Sequence, residues 1–318
     1  MNRGPILPVA FALVSAFCST TPAQVRSTRT VRFATGTPGG GFYPVGQGLA
    51  RAYARLMPDV KVEVHATPGA VANVEAIQRG DADLGIAFAD VAYIAYIGRL
   101  NGAAEPFDRL RGVAMLQLTP VHLVVGRDTG IASVSDLRGR RIGVGPPGSG
   151  TGLTAELILQ AFGIRPEDTR AEPLPFNDAA RRLIDGSLDA MFDNAIFPAE
   201  SVRMATEAGA RLLPLTGHAI ERLRQEYPFL RLTVIPRETY PALAGPVHTI
   251  GVDSLLVCRS TLDEAIVYDL TRRFFDALPS LSSTQDALRF MDVEQAPATP
   301  IPLHDGAARY YRERELLR

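Results

Sequence analysis

An α/β fold made of two similar halves is what this chain of 318 residues predicts. Three observations carry the expectation. A glycine-rich turn, Thr35-Gly36-Thr37-Pro38-Gly39-Gly40-Gly41-Phe42-Tyr43-Pro44, lies between a short apolar strand and an amphipathic helix. A second such turn, Gly145-Pro146-Pro147-Gly148-Ser149-Gly150-Thr151, has the same neighbours. Finally, Ile77-Gln78-Arg79-Gly80-Asp81-Ala82-Asp83-Leu84 is echoed by Leu183-Ile184-Asp185-Gly186-Ser187-Leu188-Asp189-Ala190. In both, a helix end, a glycine stop, an aspartate and a buried strand follow in the same order. Alternating strands and helices imply mainly parallel sheets, with ligands gathering beyond the carboxyl ends of the strands. Two facing halves would form a cleft with one glycine turn on each wall.

In chain order, Val31 to Ala34 is the first strand, and Val45, Leu49, Tyr53 and Leu56 mark one face of the first helix. Residues 60 to 66 alternate apolar and polar, a strand with one face covered. Pro68-Gly69 turns the chain into a helix, Ala70 to Arg79, stopped by Gly80. Asp83 to Phe88 is a short buried strand, and Asp90 is placed to cap the helix that follows. Leu110 to Met115 and Val121 to Val125 read as two strands parted by Gln117-Leu118-Thr119-Pro120. Ser135-Asp136-Leu137 begins a helical turn, and Arg140 to Gly145 is the next strand. Helices are expected over Leu153 to Phe162 and Asn177 to Asp185, then a buried strand over Leu188 to Phe192. Strands Arg231 to Ile235 and Thr249 to Val257 precede a long helix from Leu262 to Leu278 and a tail that ends in a charged helix.

Composition narrows the function. Close to half the residues, 46%, are hydrophobic, enough for a sizeable core. Thirty-three basic against 34 acidic residues give a net charge of −1, which argues against nucleic acid as a partner. Arg3, the apolar run Ile6 to Cys18 and the small residues Thr21-Pro22-Ala23 form an export signal over residues 1–23, with a mature start near Gln24. A lipid anchor on Cys18 is the alternative, disfavoured by bulky Phe17. No later stretch is long and apolar enough to cross a membrane as a helix. The mature chain is therefore expected to act in the periplasm. Cleavage leaves Cys258 alone, so neither a disulfide within the chain nor a cysteine metal cluster can form.

Gly39-Gly40-Gly41-Phe42-Tyr43-Pro44-Val45-Gly46 resembles the opening signature of the TAXI family of extracytoplasmic solute receptors, the binding proteins of one class of TRAP transporters. Further matches follow in the family's order: Asn73, Gly80-Asp81-Ala82-Asp83, Asp90-Val91-Ala92, Gly148-Ser149-Gly150-Thr151, Gly186-Ser187-Leu188-Asp189-Ala190 and Thr249-Ile250-Gly251-Val252. The run from Leu303 to Glu313 closes the set. The resemblance implies a two-lobed periplasmic-binding-protein fold that closes on a glutamate-like amino acid or another small organic acid, then docks on a membrane permease. Lobe 1 would span residues 24–118 with 250–318, and lobe 2 residues 119–249. A monomer without cofactor is expected. The chain departs from the family at Phe42, where tyrosine is common, at Ala70, where serine is, and at Phe88-Ala89, where glutamine-serine is. Asp193-Asn194 replace smaller, less polar residues. Fewer donors make a drier pocket. If Asp90 and Asp193 both face the cleft, a ligand bearing an ammonium or amide is expected, because buried charge must be paired.

The candidate ligand-binding residues are Thr35, Gly36, Gly40, Gly41, Tyr43, Asn73, Asp90, Ser149, Gly150, Thr151 and Asp193. The glycine turns would offer backbone N–H groups at helix starts to a carboxylate. Tyr43 either contacts ligand or packs on the sheet. Asn73 has donor and acceptor at a helix start, or serves as a local cap. Asp90 could cap its helix and still show an oxygen to the cleft. Asp193 could equally be a turn residue, and His304 is expected to fix the tail. A secreted enzyme on the same scaffold is the competing class. Ser149, however, has no sequence-local histidine or nucleophile-elbow pattern, and no histidine cluster offers a metal site.

Overall fold

The computed structural model describes residues 1, 29–38, 41–100, 105–285 and 288–317. The expected export signal, with Cys18, and the glycine pair Gly39 and Gly40 lie outside the described residues. The first part of the chain gives β1 (Arg29–Ala34), α1 (Phe42–Leu56), β2 (Val60–His65), α2 (Ala70–Arg79), β3 (Leu84–Phe88) and α3 (Ala89–Tyr96). The long strand β4 (Leu110–Val125) leads to β5 (Arg141–Gly143), α4 (Gly150–Ala161), β6 (Arg170–Glu172), α5 (Phe176–Ile184) and β7 (Ala190–Asn194). Then come α6 (Glu200–Glu207), β8 (Arg211–Leu213), α7 (His218–Glu226), β9 (Leu230–Ile235) and a second long strand, β10 (Val247–Arg259). Helices α8 (Glu264–Ser282) and α9 (Asp305–Glu313) follow.

The strand order is β2-β1-β3-β10-β4-β7-β5-β6, with β8 on β4 and β9 on β10. It reads as the same pattern from both ends. On one side β1 pairs parallel with β2 and β3, and β10 closes antiparallel on β3. On the other, β5 pairs parallel with β6 and β7, and β4 closes antiparallel on β7. The sheet is therefore mixed rather than mainly parallel. The alternation rule fails at β4 and β10 because each is long enough to run from one half into the other.

The repeated punctuation has one physical basis in both halves. The Arg32 guanidinium binds both Asp83 carboxylate oxygens at 2.9 Å and the Gly80 carbonyl at 2.7 Å. Its main-chain N–H also donates to Asp83 at 3.0 Å. Arg141 repeats every contact with Asp189 and Gly186, at 2.7–3.1 Å. Each aspartate thus ties the strand it opens to the neighbouring strand. Gly80 and Gly186 stand at φ +84° and +79°, the left-handed conformation that ends the preceding helix without a Cβ penalty. The arginine halves of these pairs were not singled out in the sequence, because they lie about fifty residues from their aspartates.

Gln117 to Pro120 do not interrupt a strand, as the sequence suggests, but lie within β4. Pro120 is opposite Gly251 at the last paired position with β10, and the pairing with β7 starts at Val121. Proline lacks an N–H, and the exchange of partners is where a missing donor costs least. Beside it the Thr249 hydroxyl donates to the Val121 carbonyl at 2.7 Å, linking the two long strands where they cross. One apolar layer packs α1, α8 and α9 on the sheet through Leu49, Tyr53, Phe274 and Tyr311. A second layer includes Val74 and Ile77 of α2, Val91 of α3 and Ile158 of α4. Cys258 is buried in the first layer, where desolvation pushes its thiol pKa up. His304 fixes the tail: it is the N-cap of α9 and its Nδ1 accepts from the Gly306 N–H.

Candidate functional site

Five helices, α1, α2, α4, α5 and α6, begin around one hollow of about 370 Å³ at the carboxyl ends of β1, β3 and β7. One wall has Gly36, Gly41 and Phe42 from the first glycine turn, Gly69 and Ala70 at the start of α2, and Phe88 at the end of β3. The other has Ser149, Gly150 and Thr151 from the second turn, Phe176 at the start of α5, and Asp193 and Asn194 at the end of β7. The walls touch. The Gly148 carbonyl accepts from the N–H groups of Val71 and Ala72 at 3.1 and 3.2 Å. These are first-turn groups of α2 with no partner inside the helix, so the second glycine turn satisfies them. A larger hollow of about 790 Å³ adjoins the first through Leu116, Ile196 and Pro198, but neither glycine turn lines it.

Three buried polar atoms of residues on the wall of the smaller hollow have no partner among the described residues: Ser149 Oγ, Thr119 Oγ1 and Asn194 Oδ1. Leaving such groups unmatched costs about 1–3 kcal/mol each, so three on residues of one wall single it out. The rest of the local polar network is closed. Asn194 Nδ2 donates to Thr154 Oγ1 at 2.8 Å, and that hydroxyl donates to Asp90 Oδ2 at 2.6 Å. Asp90 Oδ1 accepts from the Val91 N–H at 2.7 Å. Burial pushes the Asp90 pKa up to about 6 against these bonds. Asp193 is also buried; desolvation lifts its pKa to about 7, opposed by the Ser201 hydroxyl, which donates to it at 2.5 Å.

Behind this wall His122 is fully buried, and desolvation lowers its pKa to about 4, so it is neutral at pH 7. Its Nδ1 is 3.2 Å from the Asp193 carbonyl and its Nε2 is 3.1 Å from the Tyr240 hydroxyl. A carbonyl only accepts, so the proton sits on Nδ1 and Tyr240 donates to Nε2. The Tyr240 oxygen in turn accepts from the Ala199 N–H at 3.0 Å. This relay fixes the start of α6, and with it Ser201, relative to Asp193.

The candidates divide accordingly. Gly36, Gly41, Ser149, Gly150, Thr151 and Asp193 share the hollow, and Gly40 lies outside the described residues. Thr35 stands behind it: its N–H and hydroxyl both donate to the His65 carbonyl at 3.0 Å. Asn73 donates to the Thr35 and Ile86 carbonyls at 2.5 and 2.7 Å and accepts from Thr67 at 2.6 Å, with no exposed surface. It joins β1, β3 and the turn before α2. Tyr43 accepts from Gln47 at 3.1 Å and is not on the wall. Asp90 does not cap its helix; Phe88 is the N-cap, and Asp90 lies in the first turn under the Thr154 hydroxyl. Thr119, Phe176 and Ser201 were missed, since each comes from an element without a local motif. Phe42 and Phe88, read only as departures from a family pattern, pack with ring centroids 5.0 Å apart on the wall.

The profile of the NMT1-like family matches residues 33–314. Among solved structures, MatC from Rhodopseudomonas palustris with bound malate is 16% identical, with a TM-score of 0.57 over 91% of this chain and 99% of that one. A structure described as a periplasmic transporter is also 16% identical, at 0.56 over 91% and 94%. A Xanthomonas citri protein bound to ATP is 13% identical, at 0.54 over 91% and 99%. The architecture is the two-lobed α/β fold of periplasmic binding proteins.

Proposed function

The chain belongs to the NMT1-like family, and on that premise we propose that it captures a small solute between two lobes outside the cytoplasm and delivers it to a membrane permease. One observation carries the reading: both glycine turns line the same hollow, and the second is bonded across to the start of α2 on the opposite wall through Gly148. Helix starts on both sides line the hollow, and the N-terminal end of a helix suits a carboxylate or carbonyl. We place the lobes at residues 24–118 with 250–318 and at 119–249, with the hinge where β4 changes partners near Pro120 and β10 enters near Thr249. Closure then needs only that the ligand binds the closed form better than the open one.

The finer reading is a TAXI-type receptor, monomeric and periplasmic, serving a TRAP-type permease and taking an amino acid or small organic acid. The malate held by MatC is compatible with a solute of that size. Binding rather than turnover is the proposed role. Among the described residues no group of three or more His, Cys, Asp or Glu could hold a metal ion, and Ser149 Oγ has no base beside it. The test is calorimetry against a metabolite panel, with the bound compound recovered and weighed by mass spectrometry. Recovery of the compound intact supports a receptor, and conversion to product overturns it.

A further inference from the structure

Resting on the receptor reading, we propose that the ligand presents a nitrogen carrying hydrogen, an ammonium or an amide N–H, to Asp193 and Asn194, and that it bears no more than one carboxylate. The argument is one of matching donors with acceptors. Among the described residues, no arginine, lysine or histidine lines the hollow. The acids there are Asp193 and Glu200, and Glu200 is exposed with its carboxylate held by Arg203 at 2.8–3.0 Å. Asn194 Oδ1 can only accept, belongs to a residue nine-tenths buried, and finds no donor among the described residues. Its amide orientation is fixed because Nδ2 donates to Thr154.

Among the described residues, no charged side chain is bonded to Asp193. From α6 comes the Ser201 hydroxyl; from β4 comes neutral His122, bonded to the main-chain carbonyl; beyond that lies the Tyr240 hydroxyl. Arg203, the basic residue of α6, is engaged by Glu200 and Glu207. An ionised Asp193 therefore lacks a counter-charge, and a cationic or N–H-bearing ligand supplies one. The glycine-turn amides can balance one carboxylate at the other end. A second carboxylate would find hydroxyls such as Ser149 and Thr119 but no counter-charge among the described lining residues. The aromatic faces of Phe42, Phe88 and Phe176 accommodate an apolar midsection.

The sign with pH follows. Asp193 is half protonated near pH 7 in the empty site. An ammonium binds the carboxylate form, so its affinity rises from pH 6 to pH 8 and binding releases protons. A dicarboxylate would show the reverse. The experiment is a calorimetric panel of amines, amino acids, primary amides, monocarboxylates and dicarboxylates at pH 6 and pH 8, with the parent protein and the D193N and N194L variants. Unchanged thermal unfolding of either variant establishes that it folds. The expected result is binders that carry N–H and at most one carboxylate. For the ammonium compounds D193N weakens binding about tenfold or more, and N194L weakens amides and ammonium compounds alike. Binding of a nitrogen-free dicarboxylate, undiminished or tighter in D193N, overturns this inference and leaves the receptor standing. If no compound binds and no small molecule is retained on purification, both readings fall together.

Discussion

Gly150 is where a single methyl group tests closure. It is the first residue of α4, buried, and faces the opposite wall. A Cβ there would fall within contact distance of Phe88 Cδ2, 3.1 Å from Phe88 Cε2 and 3.2 Å from the Ala70 Cβ. The Phe88 ring cannot retreat freely, because Phe42 packs on it at 5.0 Å. Overpacking of this kind costs about 1–3 kcal/mol. The cost falls only on the state in which the walls meet. Alanine is, moreover, a better helix residue than glycine by up to about 1 kcal/mol, so the fold of the open protein does not suffer. At about 1.4 kcal/mol per factor of ten, G150A should weaken ligand binding by about 5- to 150-fold while unliganded thermal unfolding stays the same or moves up. Calorimetry with any ligand identified for the parent protein, paired with a melting curve, reads both quantities. A dissociation constant within twofold of the parent's would refute the reasoning, because the two walls would then not come together in the bound state.

Other perturbations separate structural groups from ligand-facing ones. N73A removes the donor to the Ile86 carbonyl and leaves the Thr35 carbonyl to the Thr67 hydroxyl at 3.1 Å, and should cost about 1–3 kcal/mol in urea unfolding, with a loss in binding no greater than the loss of folded protein. R32A and R141A each break the same kind of bidentate pair and should both lower the denaturation midpoint, R32A the less because Arg259 still holds Asp83 at 2.9 Å. The pH profile of the ligand-free protein should have a maximum. Asp90 and Asp193 have raised pKa values, so their contribution is complete below about pH 4 and is lost as pH rises through about 6 and 7. Asp83 and Asp189 have lowered ones through their arginine partners, although burial opposes the shift and for Asp83 is the largest single influence. Their contribution is present above about pH 4 and is lost on further acidification. Urea midpoints at pH 3, 5 and 8 should peak at pH 5, and D193N should flatten the limb between pH 5 and 8.

The two glycine turns, the helix stops at Gly80 and Gly186, and the buried strands after them were legible because each is a local matter. Backbone conformation and hydrophobic period are set within a few residues of chain. The same locality explains why Gly36, Gly41, Ser149, Gly150 and Thr151 could be named before any coordinates. What joins residues far apart was not legible. Asp83 and Asp189 gave no sign of the arginines that hold them. Asn73 and Asp90, polar residues at helix starts, could have faced ligand or core, and only the packing of β1, β3 and α4 around them turned both inward. Pro120 looked like a break in a strand until β7 took over from β10 at that point. The hollow depends most on tertiary structure. Thr119, Phe176, Asn194 and Ser201 come from four elements, and they acquire meaning only once folding has brought them to one wall, removed water, paired Ser201 with Asp193 and left Thr119 and Asn194 each with an unmatched oxygen.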